Sequence, residues 1–158
     1  MKNYNIALMK RMFTEFLILD LEGENKSEIM LNISVFAKEK GLVKDAAVLY
    51  QQFLARERQR GIGVVPGLAF PEASGIEMSR PFAFILCRTR QTVVFERMDM
   101  SVRIVLVSLF GVRPDATCMR AMSKLSGLVR SQSFCEDFLK CSNENEVYRA
   151  MVRLQEKQ

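Results

Sequence analysis

The chain has 158 residues and a net charge of +5, with about half its residues apolar and about a quarter charged, which suits one globular domain with a real core. The charge excess is spread out, with no Arg/Lys run, no Trp and no reader motif. A basic patch for an acidic or phosphorylated partner is therefore expected, and nucleic-acid binding is not.

The composition also excludes chemistry. There is no histidine, which removes the commonest general base and the commonest metal ligand. Cys87, Cys118, Cys135 and Cys141 form no C-x-x-C pair, so neither a zinc site nor any other metal or cofactor is expected. Lys10, Arg11 and Glu15 interrupt the apolar residues near the start, unlike a signal peptide. The longest apolar run, Ile104–Phe110, is far too short to span a membrane. A cytoplasmic protein with free thiols, and no membrane insertion, is the expectation.

In chain order, Leu17–Leu21 (L-I-L-D-L) reads as a strand or extended entry. Asn25 caps a helix, with Glu28 placed to reach back, and Ile29, Ile33, Phe36 and Ala37 share one apolar face. Gly41 stands where a left-handed residue ends the helix. Asp45 caps a second helix through Leu49, Tyr50, Phe53 and Leu54 to Arg56-Glu57-Arg58.

Arg60–Ser74 follows, with three glycines and two prolines in fifteen residues, and it presents Glu72 directly after Pro71. As a phosphate-cradling loop it fails, because a helix precedes it and extended chain follows. Pro66-Gly67 suits the centre of a type II turn reversing the chain between Val64-Val65 and Leu68-Ala69-Phe70.

Beyond it, Phe82–Cys87, Thr92–Phe95 and Ser101–Phe110 read as strands covered on both faces. Arg88-Thr89-Arg90 and Glu96–Asp99 read as polar turns between them. Asp115 is placed to cap a helix carrying Met119, Met122, Leu125 and Val129 on one side. Helix is expected again around Phe134–Lys140, and a last one is capped near Asn143 and carries Val147, Ala150, Met151 and Leu154. The fold class expected is α/β: one domain over residues 1–158, a central mixed sheet with helices on both faces.

Several separate stretches resemble one family. L-I-L-D-L with Lys26-Ser27-Glu28 opening a helix, G-L-V-K-D at 41–45, the Arg56-Glu57 pair, and M-R-A-M-S-K-L-S from Met119 to Ser126 all fit, as does the last helix with E-V-Y-R-A-M-V. Most specific is Gly67-Leu68-Ala69-Phe70-Pro71, which is similar to the family's G-V-A-I-P. From about Lys10 to Leu154 the chain resembles enzyme IIA of the bacterial sugar phosphotransferase system, of the fructose/mannitol and nitrogen-regulatory type.

That resemblance implies the mannitol-type enzyme IIA fold, no cofactor, and protein partners: an HPr-like carrier, a transporter subunit or a regulator. It also implies a site. In the family, the residue after that proline is a histidine that accepts a phosphoryl group from HPr, and here it is Glu72. The position of a second family histidine, at the start of a helix, is held by Cys118. Pro66 replaces the asparagine common before the glycine. Arg56 stands where the family's arginine helps bind phosphate, and Gly67 and Pro71 are the loop scaffold.

A carboxylate can form an acyl phosphate, but its charge repels the donor and its reach differs from that of an imidazole. Glu72 is instead a natural partner for the Arg56 guanidinium. The reading taken forward is a regulatory, partner-binding module that does not carry phosphate in the usual way, and so no enzyme in the ordinary sense. An active phosphocarrier using Glu72 or Cys118 as substitute nucleophile, and a decayed remnant with no partner, are the alternatives. Homo-oligomerisation is left open.

Overall fold

In the computed structural model, the described residues are 15–61, 63–95, 100–112 and 116–156. The expected turn at Glu96–Asp99 and the expected cap at Asp115 lie outside them.

Two capped helices start the fold. β1 (Leu17–Leu21) leads into α1 (Lys26–Glu39), where the Asn25 side chain accepts from the Glu28 N–H at 2.9 Å. The Glu28 carboxylate returns the bond to the Glu24 N–H at 2.7 Å, one residue earlier than a standard capping box. Gly41 ends the helix region with φ of 72°, as a left-handed position requires. The Asp45 carboxylate accepts from the Ala47 and Val48 N–H groups and starts α2 (Ala46–Arg60). Caps of this kind contribute about 1 kcal/mol each.

The strands then assemble around one long antiparallel pair. β2 (Gly63–Val65) and β3 (Gly67–Phe70) form a hairpin with Val65 opposite Leu68, so Pro66-Gly67 is the two-residue turn, and Gly67 takes φ of 86°. The two-residue β4 (Glu72–Ala73) follows, then β5 (Phe82–Val94) and β6 (Ser101–Phe110). The order is β1-β5-β6-β3-β2, with β4 also paired to β6. The pairings β1–β5, β3–β6 and β4–β6 are parallel, and β5–β6 and β2–β3 are antiparallel. The sheet is mixed, as expected.

Helices cover both faces. Ile29, Ile33, Ala37, Leu49 and Phe53 from α1 and α2 form one buried cluster with Ile85, Cys87, Val105, Val107 and Leu109. The alternate residues of the same strands, Phe84, Leu86, Ile104, Leu106 and Phe110, belong to a second cluster. Its other members come from α3 (Ala116–Val129), α4 (Gln132–Phe138) and α5 (Glu144–Glu156). Two covered faces explain why β5 and β6 read as unbroken apolar runs. No helix among the described residues is long and apolar enough to cross a membrane.

Two expectations are corrected. Arg88-Thr89-Arg90 is not a turn: β5 runs straight through it, with a register irregularity between Arg88 and Val93. These polar side chains stay in a central strand because each finds partners. Arg88 donates to the carbonyls of Leu19, Phe138 and Cys141 at 3.0, 2.9 and 2.7 Å. Thr89 is buried with its hydroxyl near the Val102 and Arg103 carbonyls, and Arg90 pairs with Asp20 and Glu22. The second correction concerns α3, whose buried stripe is Cys118, Ala121, Leu125, Leu128 and Val129. Met119 lies outside it and is 48% exposed. Leu125 and Val129 are buried as expected and Met122 packs partly buried against the second cluster, so only Met119 departs from the expected face. Cysteine and alanine, which gave no strong pattern, take the inner positions. The last helix matches expectation, with the Asn143 side chain accepting from the Glu146 N–H at 3.0 Å.

Candidate functional site

The backbone around Glu72 is held tightly. After the Pro66-Gly67 turn, β3 runs along β6, with Leu68 beside Ile104 and Ala69 beside Val105. The Pro71 carbonyl accepts from the Ser108 N–H at 3.0 Å, and Glu72 then lies beside Ser108 in the β4–β6 pairing. Proline suits this step, because the strand bonds one residue at a time and Pro71 uses only its carbonyl. Ala73, next along, is buried in the first cluster. Glu72 is thus carried at a fixed point where the sheet edge meets α2.

α2 brings Arg56 to the same place. Its Nη2 donates to Glu72 Oε1 at 3.4 Å, and the two side chains are 27% and 32% exposed. The bond is long and single, where an arginine–carboxylate pair at its best is bidentate and below 3 Å. A half-exposed pair of this kind contributes about 0–1 kcal/mol to stability. The next residue of α2, Glu57, pairs with Lys26 in the first turn of α1. That second pair ties the two helices together beside Arg56.

The two residues line a cavity of about 180 Å³ with Met30, Phe53, Gly61, Gly63, Phe70 and Pro71. Its floor is apolar, its charged groups are Arg56 and Glu72, and the two glycines leave part of the wall without side chains. The structure therefore brings Arg56, Pro71 and Glu72 together, while Gly67 acts one strand earlier through the hairpin turn.

Cys118 is elsewhere. It is fully buried in the cluster covered by α3, α4 and α5, and it is not among the residues lining the cavity. The other thiols are not activated either: burial pushes Cys87 far up, and Cys135 and Cys141 are raised by burial first and by neighbouring carboxylates second. Among the described residues no group of three or more His, Cys, Asp or Glu could hold a metal ion.

Reading the sequence missed three participants. Lys26 and Glu57 were read only as parts of two family-like stretches, and nothing local pairs them across 31 residues. Phe70 was read as part of a strand and of the family-like segment but not as a cavity residue, yet it lines the cavity, and the Arg130 guanidinium lies 4.9 Å from its ring centroid.

Comparison with known proteins gives one family model and a shared fold. Residues 12–153 match the family model described as phosphoenolpyruvate-dependent sugar phosphotransferase system, EIIA 2. A sequence comparison with curated proteins gives no significant match. Among solved structures, the nitrogen regulatory protein IIA-Ntr from Neisseria meningitidis is similar with a TM-score of 0.75 at 21% identity, over 91% of this chain and 99% of that one. A putative phosphotransferase-system IIA (PtxA) from Streptococcus mutans gives a TM-score of 0.73 at 18% identity, over 94% of each chain. The mannitol enzyme IIA from Escherichia coli, in a complex with phosphorylated enzyme IIB, gives 0.70 at 16% identity, over 88% of this chain and 95% of that one. At these identities the structural likeness speaks for the fold.

Proposed function

Because the chain belongs to the phosphoenolpyruvate-dependent sugar phosphotransferase system EIIA 2 family, we propose that it is an enzyme IIA-type module that works by binding a protein partner and does not carry phosphate in the usual way. One observation supports this most. The carboxylate that follows the Gly-x-Ala-x-Pro segment is already engaged with the arginine of the same cavity, at 3.4 Å. A phosphoryl acceptor at this position needs a free lone pair and a neighbouring cation free to take the transferring oxygens. Here Glu72 uses the cation for itself and adds a negative charge facing any phosphoryl donor. The chain has no histidine to stand in.

On this reading the whole of residues 1–158 acts as one enzyme IIA-like domain in the cytoplasm. Glu72 gives the site a fixed anionic state, partly imitating a phosphorylated form with one charge on a shorter arm. The partner is a carrier of the HPr kind, a transporter subunit or a regulator. Protein partnership has a precedent in the solved complex of the mannitol enzyme IIA with phosphorylated enzyme IIB.

The test is to incubate the chain with enzyme I, HPr and labelled phosphoenolpyruvate. The expected outcome is no stable label above that of a denatured control. Stable label that disappears in Glu72→Gln or Cys118→Ser would overturn the proposal in favour of a substitute nucleophile. Cys118, being fully buried, would first have to be exposed by opening of the α3 layer.

A further inference from the structure

The cavity mouth is more basic than its interior. Arg60 lies one helical turn beyond Arg56 in α2, so the two side chains share a face. Arg60 is exposed, directly precedes the cavity-lining Gly61, and has no carboxylate partner among the described residues. On the other side Arg130, exposed at the end of α3, stacks over the Phe70 ring and likewise has no carboxylate partner among the described residues.

Arg58 and Arg149 are likewise exposed with no carboxylate partner among the described residues, but neither adjoins a residue lining this cavity, and further arginines contrast outright. Arg80, Arg90 and Arg153 each face a carboxylate, and Arg88 and Arg103 donate to main-chain carbonyls. Both Arg60 and Arg130 stand at helix C-termini, where the dipole favours a cation, so the free protein tolerates them without an acid. Arg130 is also pre-positioned, because stacking on Phe70 restricts its side chain.

We propose that this rim is a docking surface for an acidic protein segment, with Arg60 and Arg130 taking carboxylates on either side of the Arg56–Glu72 cavity. The proposal deepens the reading of the chain as a partner-binding module and rests on it. Charge complementarity selects the occupant. Two separated guanidinium groups with an apolar ring between them suit a short segment carrying spaced Asp or Glu residues. A nucleic acid is disfavoured, since the adjoining cavity carries the Glu72 carboxylate and the face of Phe70 is already covered by Arg130. A small free anion would seek Arg56 itself, which Glu72 occupies.

A fluorescein-labelled Glu-rich peptide, followed by polarisation at low and physiological salt, tests the surface. Binding is expected to weaken about tenfold for Arg60→Glu and for Arg130→Glu, and to weaken with salt, as rim charges do. Arg130→Gln, which removes the charge without reversing it, gives a smaller loss. Arg149→Glu makes the same charge change on α5, in a different cavity with Asp137, Lys140 and Arg153, and leaves binding unchanged. Equal weakening by Arg149→Glu would reduce the effect to net charge and overturn the surface, as would a single-stranded oligonucleotide that binds more tightly than the peptide. Displacement of the peptide by low inorganic phosphate would also overturn it.

The phosphoryl-labelling assay separates the two claims. Label on the chain with peptide binding intact would sink the functional reading and leave the docking surface standing. No label and no peptide binding would do the reverse.

Discussion

Arg88 and Arg56 are both half-buried arginines reaching away from the element that carries them, yet their surroundings differ. Arg88 spends its guanidinium on three carbonyls, from β1 and from the end of α4, at 2.7 to 3.0 Å. One of those carbonyls, that of Phe138, ends α4 and also accepts from the Cys141 N–H at 3.2 Å, and another, that of Cys141, lies in the connection beyond it. Arg56 has one bond, 3.4 Å long, to one oxygen of Glu72 beside an open cavity. A guanidinium held by three main-chain carbonyls holds architecture, and one with a single long bond beside a cavity is available to a ligand or a partner.

The comparison is broken most severely by truncating both. Arg88→Ala removes three hydrogen bonds to carbonyls, of which that of Phe138 keeps a main-chain donor, the Cys141 N–H, and should lower stability by about 2–4 kcal/mol. Arg56→Ala should change it by less than about 1 kcal/mol. Urea unfolding of the two variants measures both. Equal losses would mean that Arg56 is as structural as Arg88.

Arg90 is the intermediate case. It is saturated by carboxylates, Asp20 at 2.6 and 3.0 Å and Glu22 at 2.7 Å, but in the open. Its hydrogen bond holds the Asp20 carboxyl below the ordinary aspartate range, with the Arg90 and Arg88 charges adding to the effect. A carboxyl lowered in the folded state binds fewer protons there than in the unfolded chain. Its contribution is therefore present above the unfolded value near 4 and is lost as pH falls through the folded value. The acid limb of a stability–pH curve should shift in Asp20→Asn, and raising salt should shrink the difference because the pair is exposed. A pH profile identical to that of the parent would remove Arg90 from the series.

The thiols sharpen the same contrast from the apolar side. Cys87 is fully buried with its thiol pushed far up, so native protein at pH 8 should leave it unmodified by a thiolate-directed reagent while Cys135, partly exposed, reacts first. Because the folded thiols release their protons later than the unfolded ones, stability should be flat below the unfolded thiol value and fall as pH rises above it. Mass spectrometry of partially modified protein reads the order directly.

What the sequence could show follows from range. Asn25, Asp45 and Asn143 announce their helices because a cap bonds within three residues, and Pro66-Gly67 announces its turn because φ is local. Arg88-Thr89-Arg90 was misread because its justification lies in Leu19, Asp20, Phe138 and Cys141, which no local pattern connects to it. Met119 was misplaced on the α3 face because methionines draw attention that the small inner residues Cys118 and Ala121 do not. The site was legible in part. Glu72 and Arg56 stood out through the family-like Gly-Leu-Ala-Phe-Pro segment and the Arg-Glu pair. The Lys26–Glu57 pair and the Arg130 contact with Phe70 did not, since each arises through tertiary packing alone.

The smallest stability effect and the most informative one come from Glu72→Gln. The substitution keeps the shape and removes the charge that occupies Arg56, and the partly exposed, single-bonded pair predicts a change in stability within about 1 kcal/mol. If the arginine is available rather than structural, its freed guanidinium should then accept another oxyanion. Inorganic phosphate titrated into Glu72→Gln should move the Arg56 side-chain NMR signal, with little effect on the parent protein and none on the Arg88 signal. A loss of stability of several kcal/mol in Glu72→Gln would place this pair with Arg88 as architecture. An equal phosphate response in the parent would mean that Glu72 never held the arginine against competitors. An Arg56 signal that moves only in Glu72→Gln would instead identify the carboxylate as the group that keeps this cavity closed to anions.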